Sequence, residues 1–465
     1  VSLPFDVSEA LRWTGGELRQ GARDVRFTGL SIDTRTLQTG QLFVAIVGPQ
    51  HDAHAYLERA AGAGAAGLIV DRERALPGGL GAGLPVLAVR DTTRALGDLA
   101  SGHRAGFDGP VVAITGSNGK TTTKEMCAAI LSAGAPTLKN RGNLNNQFGL
   151  PLTLLAREAS HRRLVLELGM NHRGEIAALA RIARPTIGVV TNVGTAHIEY
   201  LGSGDAIAQE KGDLLAALPP QGVAVVNAED ERAEALAARA PGRILRFGRS
   251  PDADVRAETI RRREGDDGFA FALRAPQGEV PVEVAGLGDH TILNALCAAA
   301  AALAAGATLA EVAEGLAAHR PVGGRLQRRE LRDGIVLIDD SYNANPQSME
   351  VALRLLAGSD GSRRVAVLGD MGELGGTAEK AHREAGRLTA SLGIELLIAV
   401  GERAGWVAAG AAEAGMSDAC IRIERSSDEA ALTVRELARP GDRILVKGSR
   451  AMRMERISDL LEAEG

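Results

Sequence analysis

The sequence predicts an α/β protein built from three successive open sheets. Three observations carry that expectation. Short apolar runs alternate with helical stretches along the whole chain, the pattern of strands joined by crossover helices. Val111–Met126, VVAITGSNGKTTTKEM, reads as a buried strand, a glycine turn and a helix. Gly109-Pro110 and Pro321-Val-Gly-Gly324 interrupt the alternation and divide the chain into three stretches. At 465 residues the chain is long enough for two to four domains, each with its own core.

Composition narrows the class. Hydrophobic residues make up 45% and charged residues 24%, ordinary for a soluble globular chain. Aromatics are only 3%, so the helices are expected to pack through Ala and Leu. A net charge of −5 gives no electrostatic case for a nucleic acid or a membrane surface. The three cysteines, Cys127, Cys297 and Cys420, form no CxxC pair, which argues against a disulfide framework or zinc site and fits a reducing compartment. The first residues show no basic segment followed by an apolar run, so no secretory leader is expected. The longest apolar stretch, Ala295–Leu309, is too short to span a bilayer. A soluble, cytoplasmic, monomeric protein is expected.

In the first stretch, Leu42–Val47, Gly67–Val70 and Val86–Val89 read as strands, and Tyr56–Ala63 and Thr92–Arg104 as helices. SIDTR, Ser31–Arg35, is a polar turn carrying Ser31, Asp33, Thr34 and Arg35. Gly48–Tyr56 carries His51, Asp52 and His54. That trio suggests either a metal site or a solvated loop against a ligand, and the absence of a third well-spaced ligand favours the loop.

The second stretch opens on the strand Val111–Ile114. The turn that follows holds Gly116, Ser117, Asn118 and Gly119 ahead of Lys120, Thr121 and Thr122. Glycines let backbone N–H groups approach an anion, and a helix N-terminus adds positive potential. Lys120 would reach the β- and γ-phosphates of a nucleotide and Thr121 would ligate Mg2+. The usual phosphate loop places a glycine six residues before the lysine; Ile114 stands there, so the cradle is a shortened variant. The plain alternative is a glycine turn before an ordinary helix. Leu164–Leu168, Ile187–Val190 and Val223–Val226 read as buried parallel strands. Phe269–Arg274 and Glu279–Val284 read as a hairpin, and Asn294–Ala305 as a buried alanine helix. In the third stretch, Ile335–Asp339, Arg364–Leu368, Leu396–Val400 and Arg443–Val446 read as strands. DDSYNANP, LGDMGELG and VKGSR follow three of them, at the carboxyl ends where open sheets bind ligands.

Glu167 closes one central strand and His197 follows another, so the pair either holds a divalent ion beside the phosphate loop or marks two polar strand ends. Lys211, in AIAQEKGDL, reads by itself as a surface lysine. NLNNQFGLP, Asn143–Pro151, is either a structured loop or a plain helix-capping turn. Asp339 and Asp340 suit ribose hydroxyls or a helix cap equally.

These strings, in this order, resemble the Mur ligases, ATP-dependent amino-acid ligases of peptidoglycan precursor synthesis. TGSNGKTTTKEM, NLNN-xx-G-x-P, ELGM, TNV-xx-AH, the Lys211 string, NALCAA, DDSYNANP, LGDMGEL and KGSR span nearly the whole chain. The last four resemble the branch that adds D-alanyl-D-alanine to UDP-N-acetylmuramoyl-tripeptide. The DNPR-type string of the diaminopimelate-adding branch does not occur. The resemblance implies three domains: a UDP-sugar-binding α/β unit at 1–108, a central P-loop ATPase-like sheet at 109–322, and a Rossmann-like sheet at 323–465 that brings the dipeptide. It implies ATP bound through the Gly116–Thr122 cradle, Asn294, Arg325 and Asp340. It implies Mg2+ held by Thr121, Glu167, His197 and Lys211, the last as a carbamate formed with CO2. Lys120, Glu167, His197 and Lys211 are then the catalytic set. Ser31, Asp33, Thr34, Arg35, Asn145 and Asn146 match substrate-binding positions, and Asn343, Asn345 and Asp370 are assigned to the dipeptide. The implied reaction activates the tripeptide carboxylate as an acyl phosphate, which the dipeptide amine attacks. The alternatives are a sister muramyl-peptide ligase, a folylpolyglutamate-synthase-like ligase, and a nucleotide switch with no acyl acceptor.

Overall fold

The computed structural model describes residues 4–48, 50–263 and 267–463. Pro49, inside the Gly48–Tyr56 stretch, lies outside the described residues. Three large sheets follow one another along the chain.

The first sheet has five strands in the order Glu17–Gln20, Val86–Val89, Gly67–Asp71, Leu42–Val44 and Leu30–Ser31. Only the Glu17–Gln20 edge is antiparallel. Phe5–Asp6 and Arg26–Phe27 form a separate two-stranded pair. The strand expected over Leu42–Val47 stops at Val44, because the chain turns back there and Val47 pairs singly with Asp52. The expected Tyr56–Ala63 helix begins as a 3-10 turn, Ala53–Tyr56, capped by the Asp52 carboxylate, and continues as Leu57–Gly62.

The central sheet has nine strands. Their order is Gly278–Ala285, Gly268–Ala275, Val255–Arg262, Arg243–Gly248, Val223–Asn227, Ile187–Val190, Val111–Thr115, Arg163–Glu167 and Thr137–Lys139. All neighbours are parallel up to Val255–Arg262, and the two pairs beyond it are antiparallel. The expected hairpin is thus an extension of this sheet. Val111–Thr115 sits where the strand order reverses, with Arg163–Glu167 on one side and Ile187–Val190 on the other, the position at which an open sheet forms its crevice. The alanine helix runs His290–Ala304, one turn earlier than expected. Ala295 and Ala298–Ala302 have no exposed surface, so small side chains bring this helix close onto the sheet.

The third sheet orders Gln327–Glu330, Val336–Asp340, Asp442–Lys447, Arg363–Gly369, Leu396–Val400 and Ile421–Glu424, antiparallel only at its first edge. One apolar cluster crosses Gly109-Pro110. It joins Phe5, Leu96 and Leu99 to Leu150, Leu154 and Leu179, so the helix Thr92–Ala105 ties the first sheet to the second. Among the described residues no helix is long and apolar enough to cross a membrane.

Candidate active site

The strand Val111–Thr115 delivers the chain into the turn Gly116–Gly119, and the helix Lys120–Gly134 starts at Lys120. Two glycines are required by shape. Gly116 has φ +152°, and a Cβ there would lie 1.8 Å from Thr191 Oγ1. Gly119 has φ +79°, and its Cβ would lie 2.4 Å from Asn294 Oδ1. The segment after Ile187–Val190 braces the turn: Asn118 N–H donates to Asn192 Oδ1 at 3.0 Å, Gly194 N–H to Ser117 Oγ at 2.7 Å, and Thr191 Oγ1 to Asn118 O at 2.6 Å. Lys120 Nζ folds back onto the carbonyls of Gly116 (2.8 Å) and Ser117 (3.3 Å). Burial pushes its ammonium below the usual lysine range, Arg325 pushes the same way, and Glu167 and Glu373 oppose them.

This loop forms one wall of a cavity of about 1150 Å³ that opens between the central and third sheets. Ser117, Asn118, Gly119, Lys120, Thr121 and Thr122 line it, and Glu167, His197 and Asn294 join them from the same sheet. Arg325, Asp340, Asn343 and Asn345 face them from the third sheet and its linker. Asn145 and Asn146 extend the wall toward the helix Glu175–Ala183. Residues far apart in sequence therefore meet at one cavity, while Lys211 is not among its lining residues.

Glu167 is buried, and its carboxylate accepts Thr121 Oγ1 at 2.9 Å and Asn145 Nδ2 at 2.8 Å. Thr121 and Glu167 thus present the oxygen donors that a hard divalent cation takes. His197 follows with left-handed backbone, φ +65°, and its Nδ1 lies 2.5 Å from Glu373 Oε2 of the third sheet. The imidazole and this carboxylate therefore meet across the boundary between the two sheets. Among the described residues no three His, Cys, Asp or Glu side chains converge as a metal group. The Lys211 string does not give a surface lysine: Lys211 is 1% exposed, because its helix, Gly204–Ala216, packs inward, and Glu210 beside it caps the Gly174 and Ile176 N–H groups. Burial drives the Lys211 amine well below the usual lysine range, helped by Lys120 and opposed by Glu210.

Asn143–Pro151 is both a structured loop and a turn at the start of a helix. Asn145 reaches Glu167, while Asn146 Oδ1 accepts the N–H groups of Phe148 (3.1 Å) and Gly149 (3.0 Å) at the start of the helix Gly149–Leu155. In the third sheet Asp340 accepts Lys447 Nζ at 2.5 Å and Leu326 N–H at 3.1 Å. Burial raises the Asp340 carboxyl, opposed chiefly by Lys447. The Arg325 guanidinium stacks 4.3 Å over the Tyr342 ring.

Of the other expected site residues, Asn345 lines the cavity with its amide already engaged, while Asp370 and the Ser31–Arg35 turn stand apart from it. Asn345 caps the helix Pro346–Ala357 through Ser348 N–H and donates its Nδ2 to Asn118 Oδ1 at 2.8 Å, so its amide is engaged at both ends. Asp370 does not line the cavity; its buried carboxylate accepts the N–H groups of Glu402 (3.2 Å) and Arg403 (3.0 Å). Ser31, Asp33, Thr34 and Arg35 form a separate turn in the first sheet, with the Arg35 guanidinium forked on Asp33 and holding that carboxyl down to about 2. His54 is no free metal ligand, since Asp52 holds its Nδ1 at 2.6 Å and Asp71 N–H donates to its Nε2 at 2.9 Å.

Residues 114–302 match the Mur ligase middle domain, and residues 324–450 match the Mur ligase glutamate ligase domain. The chain is 39% identical over 461 residues to UDP-N-acetylmuramoyl-tripeptide–D-alanyl-D-alanine ligase of Escherichia coli K12, covering 97% of this chain and 96% of that one. The chain belongs to the Mur ligase family. Its fold matches a crystal structure of MurF from Acinetobacter baumannii with TM-score 0.89 and 34% identity over 99% of both chains. It matches MurF from Thermotoga maritima, solved in complex with ADP, with TM-score 0.81 and 27% identity over 94% of this chain and 97% of that one.

Sequence reasoning passed over several residues of this Mur ligase that the structure brings to the cavity or its lining. Tyr342 and Lys447 lie inside strings already singled out, DDSYNANP and VKGSR, but nothing in their spacing gave them partners. His290, also in the wall, is pushed down to about 4 by burial and is therefore neutral near pH 7. Glu373 contributes a carboxylate from LGDMGELG, held below the usual range by the His197 imidazole first, against burial.

Proposed function

We propose that this Mur ligase joins D-alanyl-D-alanine to UDP-N-acetylmuramoyl-tripeptide, with ATP cleaved to ADP and phosphate. The observation that carries the reading is the single cavity on which Lys120, the Thr121–Glu167 pair and Asn294 converge from one sheet, and Arg325 and Asp340 from another. The near-full-length likeness to the Escherichia coli ligase supports the substrate pair, and the ADP complex of the Thermotoga relative supports the nucleotide.

The chemistry follows from what a carboxylate lacks. It is inert toward amines until its oxygen is made a leaving group. The terminal carboxylate of the tripeptide attacks the γ-phosphorus of ATP, the bond to the β-phosphate oxygen breaks, and ADP departs. The dipeptide amine then attacks the acyl carbon, loses a proton, and expels inorganic phosphate. Lys120 is assigned to neutralise charge on the transferred phosphoryl group and the loop N–H groups to orient it. Asn294, Arg325 and Asp340 are assigned to the nucleoside, Asn145 and Asn146 to the muramyl peptide, and Asn343 to the dipeptide. Residues 1–108, with the Ser31–Arg35 turn, are assigned to the UDP-sugar, 109–322 to ATP, and 323–465 to the dipeptide.

Thr121, Glu167, His197 and Lys211 are the residues proposed to hold Mg2+. The oxygen pair fits a hard cation, and Lys211, buried and without a hydrogen bond or ion pair of its side chain among the described residues, fits the neutral amine that CO2 carbamylates to an anionic ligand. A bound Mg2+ would supply further charge neutralisation on the phosphates.

The test is phosphate release from ATP and Mg2+ with UDP-N-acetylmuramoyl-tripeptide, with and without D-alanyl-D-alanine, products read by mass. Release that needs both and yields the pentapeptide is expected. Release with a single amino acid would move the protein to a sister activity, and release independent of either substrate would end the ligase reading.

A further inference from the structure

Lys124 belongs to the helix that follows the phosphate loop, yet it does not line the cavity and has no exposed surface. Its Nζ donates to Asn140 O at 2.8 Å and lies 3.0 Å from Glu125 Oε1 and 3.9 Å from Glu167 Oε2. Asn140 is equally buried. Its side-chain amide imitates a strand partner for Glu167: Nδ2 donates to Glu167 O at 2.9 Å, and Oδ1 accepts Glu167 N–H at 2.9 Å. The same Nδ2 also donates to Leu144 O at 2.9 Å, one residue before Asn145. Glu167 thus has its main chain held by Asn140, and its carboxylate shared between Thr121 and Asn145.

A buried ammonium is an expensive filler. A methionine of similar volume would pack the same space without losing ionic hydration. The charge therefore has to be explained by what it holds. Its partners are the carbonyl that starts the Asn140–Asn146 loop and the carboxylates of Glu125 and Glu167, and Glu125 is itself paired with Lys139. One cation thus stands where the phosphate-loop helix, the strand end bearing Glu167 and the loop bearing Asn145 meet.

The geometry points to Lys124 and Asn140 as positioning residues of the ligase reaction: together they lock the Glu167 carboxylate between Thr121 and Asn145, and so set the nucleotide side and the muramyl-peptide side of the cavity in one register. This rests on the functional reading above. Neither residue touches substrate; both act through Glu167 and Asn145. The consequence is a paired defect. Loosening the bracket releases Glu167 from Thr121 and Asn145 from Glu167 at once.

The test uses the full chain with Lys124→Met, Asn140→Asp and Lys124→Arg. Asn140→Asp keeps the shape and the acceptor for Glu167 N–H but removes the donor to Glu167 O and Leu144 O. Two affinities are read by calorimetry: UDP-N-acetylmuramoyl-tripeptide without nucleotide or metal, and ADP across a Mg2+ series. Lys124→Met and Asn140→Asp are each expected to weaken tripeptide binding about tenfold and to raise the Mg2+ needed for half-maximal ADP retention about tenfold, the scale of lost outer-sphere support. Metal-free ADP affinity should stay within twofold. Lys124→Arg, which keeps the cation, should recover at least half of each logarithmic loss. A lowered unfolding midpoint with both affinities within twofold of wild type would reduce the pair to core filling and overturn the proposal. Should Lys124→Met not fold, Asn140→Asp decides by the same criteria. If the wild type fails to bind the tripeptide, the functional reading falls, while the Mg2+ series still decides the role of the bracket at Glu167.

Discussion

Lys120 can be removed without disturbing the fold, because among the described residues its ammonium donates only to the carbonyls of its own turn. Lys120→Ala is expected to lower substrate-dependent phosphate release by about a thousandfold, the scale of losing a preorganised charge at a transferred phosphoryl group. Circular dichroism and the unfolding midpoint should stay near wild type. A variant with near-normal turnover would sink the assignment of this loop. Histidines give a second test at this scale. His319 is 4% exposed and pushed down to about 4, chiefly by burial. A depressed imidazole is neutral when folded, while the unfolded chain binds a proton below about 6.5, so its contribution is present above that pH and fades as pH falls toward 4. One such histidine costs the wild type about 2 kcal/mol between pH 7 and pH 5. Urea unfolding at both values should show His319→Gln losing about that much less over the same interval; equal losses would refute the burial argument.

The strand–turn–helix of the phosphate loop is where sequence and structure agree most closely, and the agreement has a steric cause. Gly119→Ala would place a Cβ 2.4 Å from Asn294 Oδ1 at a left-handed φ of +79°. Gly306, at φ +88°, has open space around it, so Gly306→Ala carries the backbone strain without the collision. Both variants should lose about 1 kcal/mol to that strain. Only Gly119→Ala should also lose ADP affinity, by about tenfold or more, because Asn294 must move out of the cavity wall; equal ADP affinity in the two would separate Asn294 from the nucleotide. Four central strands were legible because parallel strands buried on both faces must be apolar runs, whereas Thr137–Lys139, TLK, and Arg243–Gly248, RILRFG, carry too many polar residues to show that signature. Val255–Arg262 was not, since VRAETIRR has an exposed, arginine-rich second half and a bulge between Glu258 and Arg261. Gln327–Glu330, QRRE, is an edge strand with no buried residue. Lys211 and Lys124 were illegible for another reason. A lysine in a mixed helix looks solvated until the packing of distant elements buries it, and no spacing within AIAQEKGDL or TTTKEM encodes that packing.

At the scale of the whole molecule, the cavity exists only because the third sheet lies over the phosphate loop. The seam is narrow and polar. Asn345 Nδ2 donates to Asn118 Oδ1 at 2.8 Å, Asn118 Nδ2 to Gln347 Oε1 at 3.4 Å, and Glu199 N–H to Glu373 O at 3.4 Å, beside the His197–Glu373 approach. Arg328 Nη1 also donates to Asp267 Oδ2 at 3.3 Å, and Leu287 packs against the core of the third sheet. A seam made mainly of hydrogen bonds and ion pairs suits sheets that part to admit substrates and close for reaction. It also gives Asn345 a role other than holding the dipeptide: it fastens the helix Pro346–Ala357 to the loop that cradles phosphate. Asn345→Ser separates its two jobs, since serine caps a helix about as well as asparagine but is too short to reach Asn118. The unfolding midpoint should therefore hold. Losing one net hydrogen bond of about 1 kcal/mol should shift the closed-to-open ratio about fivefold. Small-angle scattering without ligand should then show a larger radius of gyration, and ADP should restore the wild-type value at saturating concentration. An unchanged radius with an unchanged turnover rate would mean that the Asn118–Asn345 bond does not hold the sheets together, and closure would then rest on the other contacts across the seam, the Arg328–Asp267 and His197–Glu373 pairs among them, and on the ligands themselves.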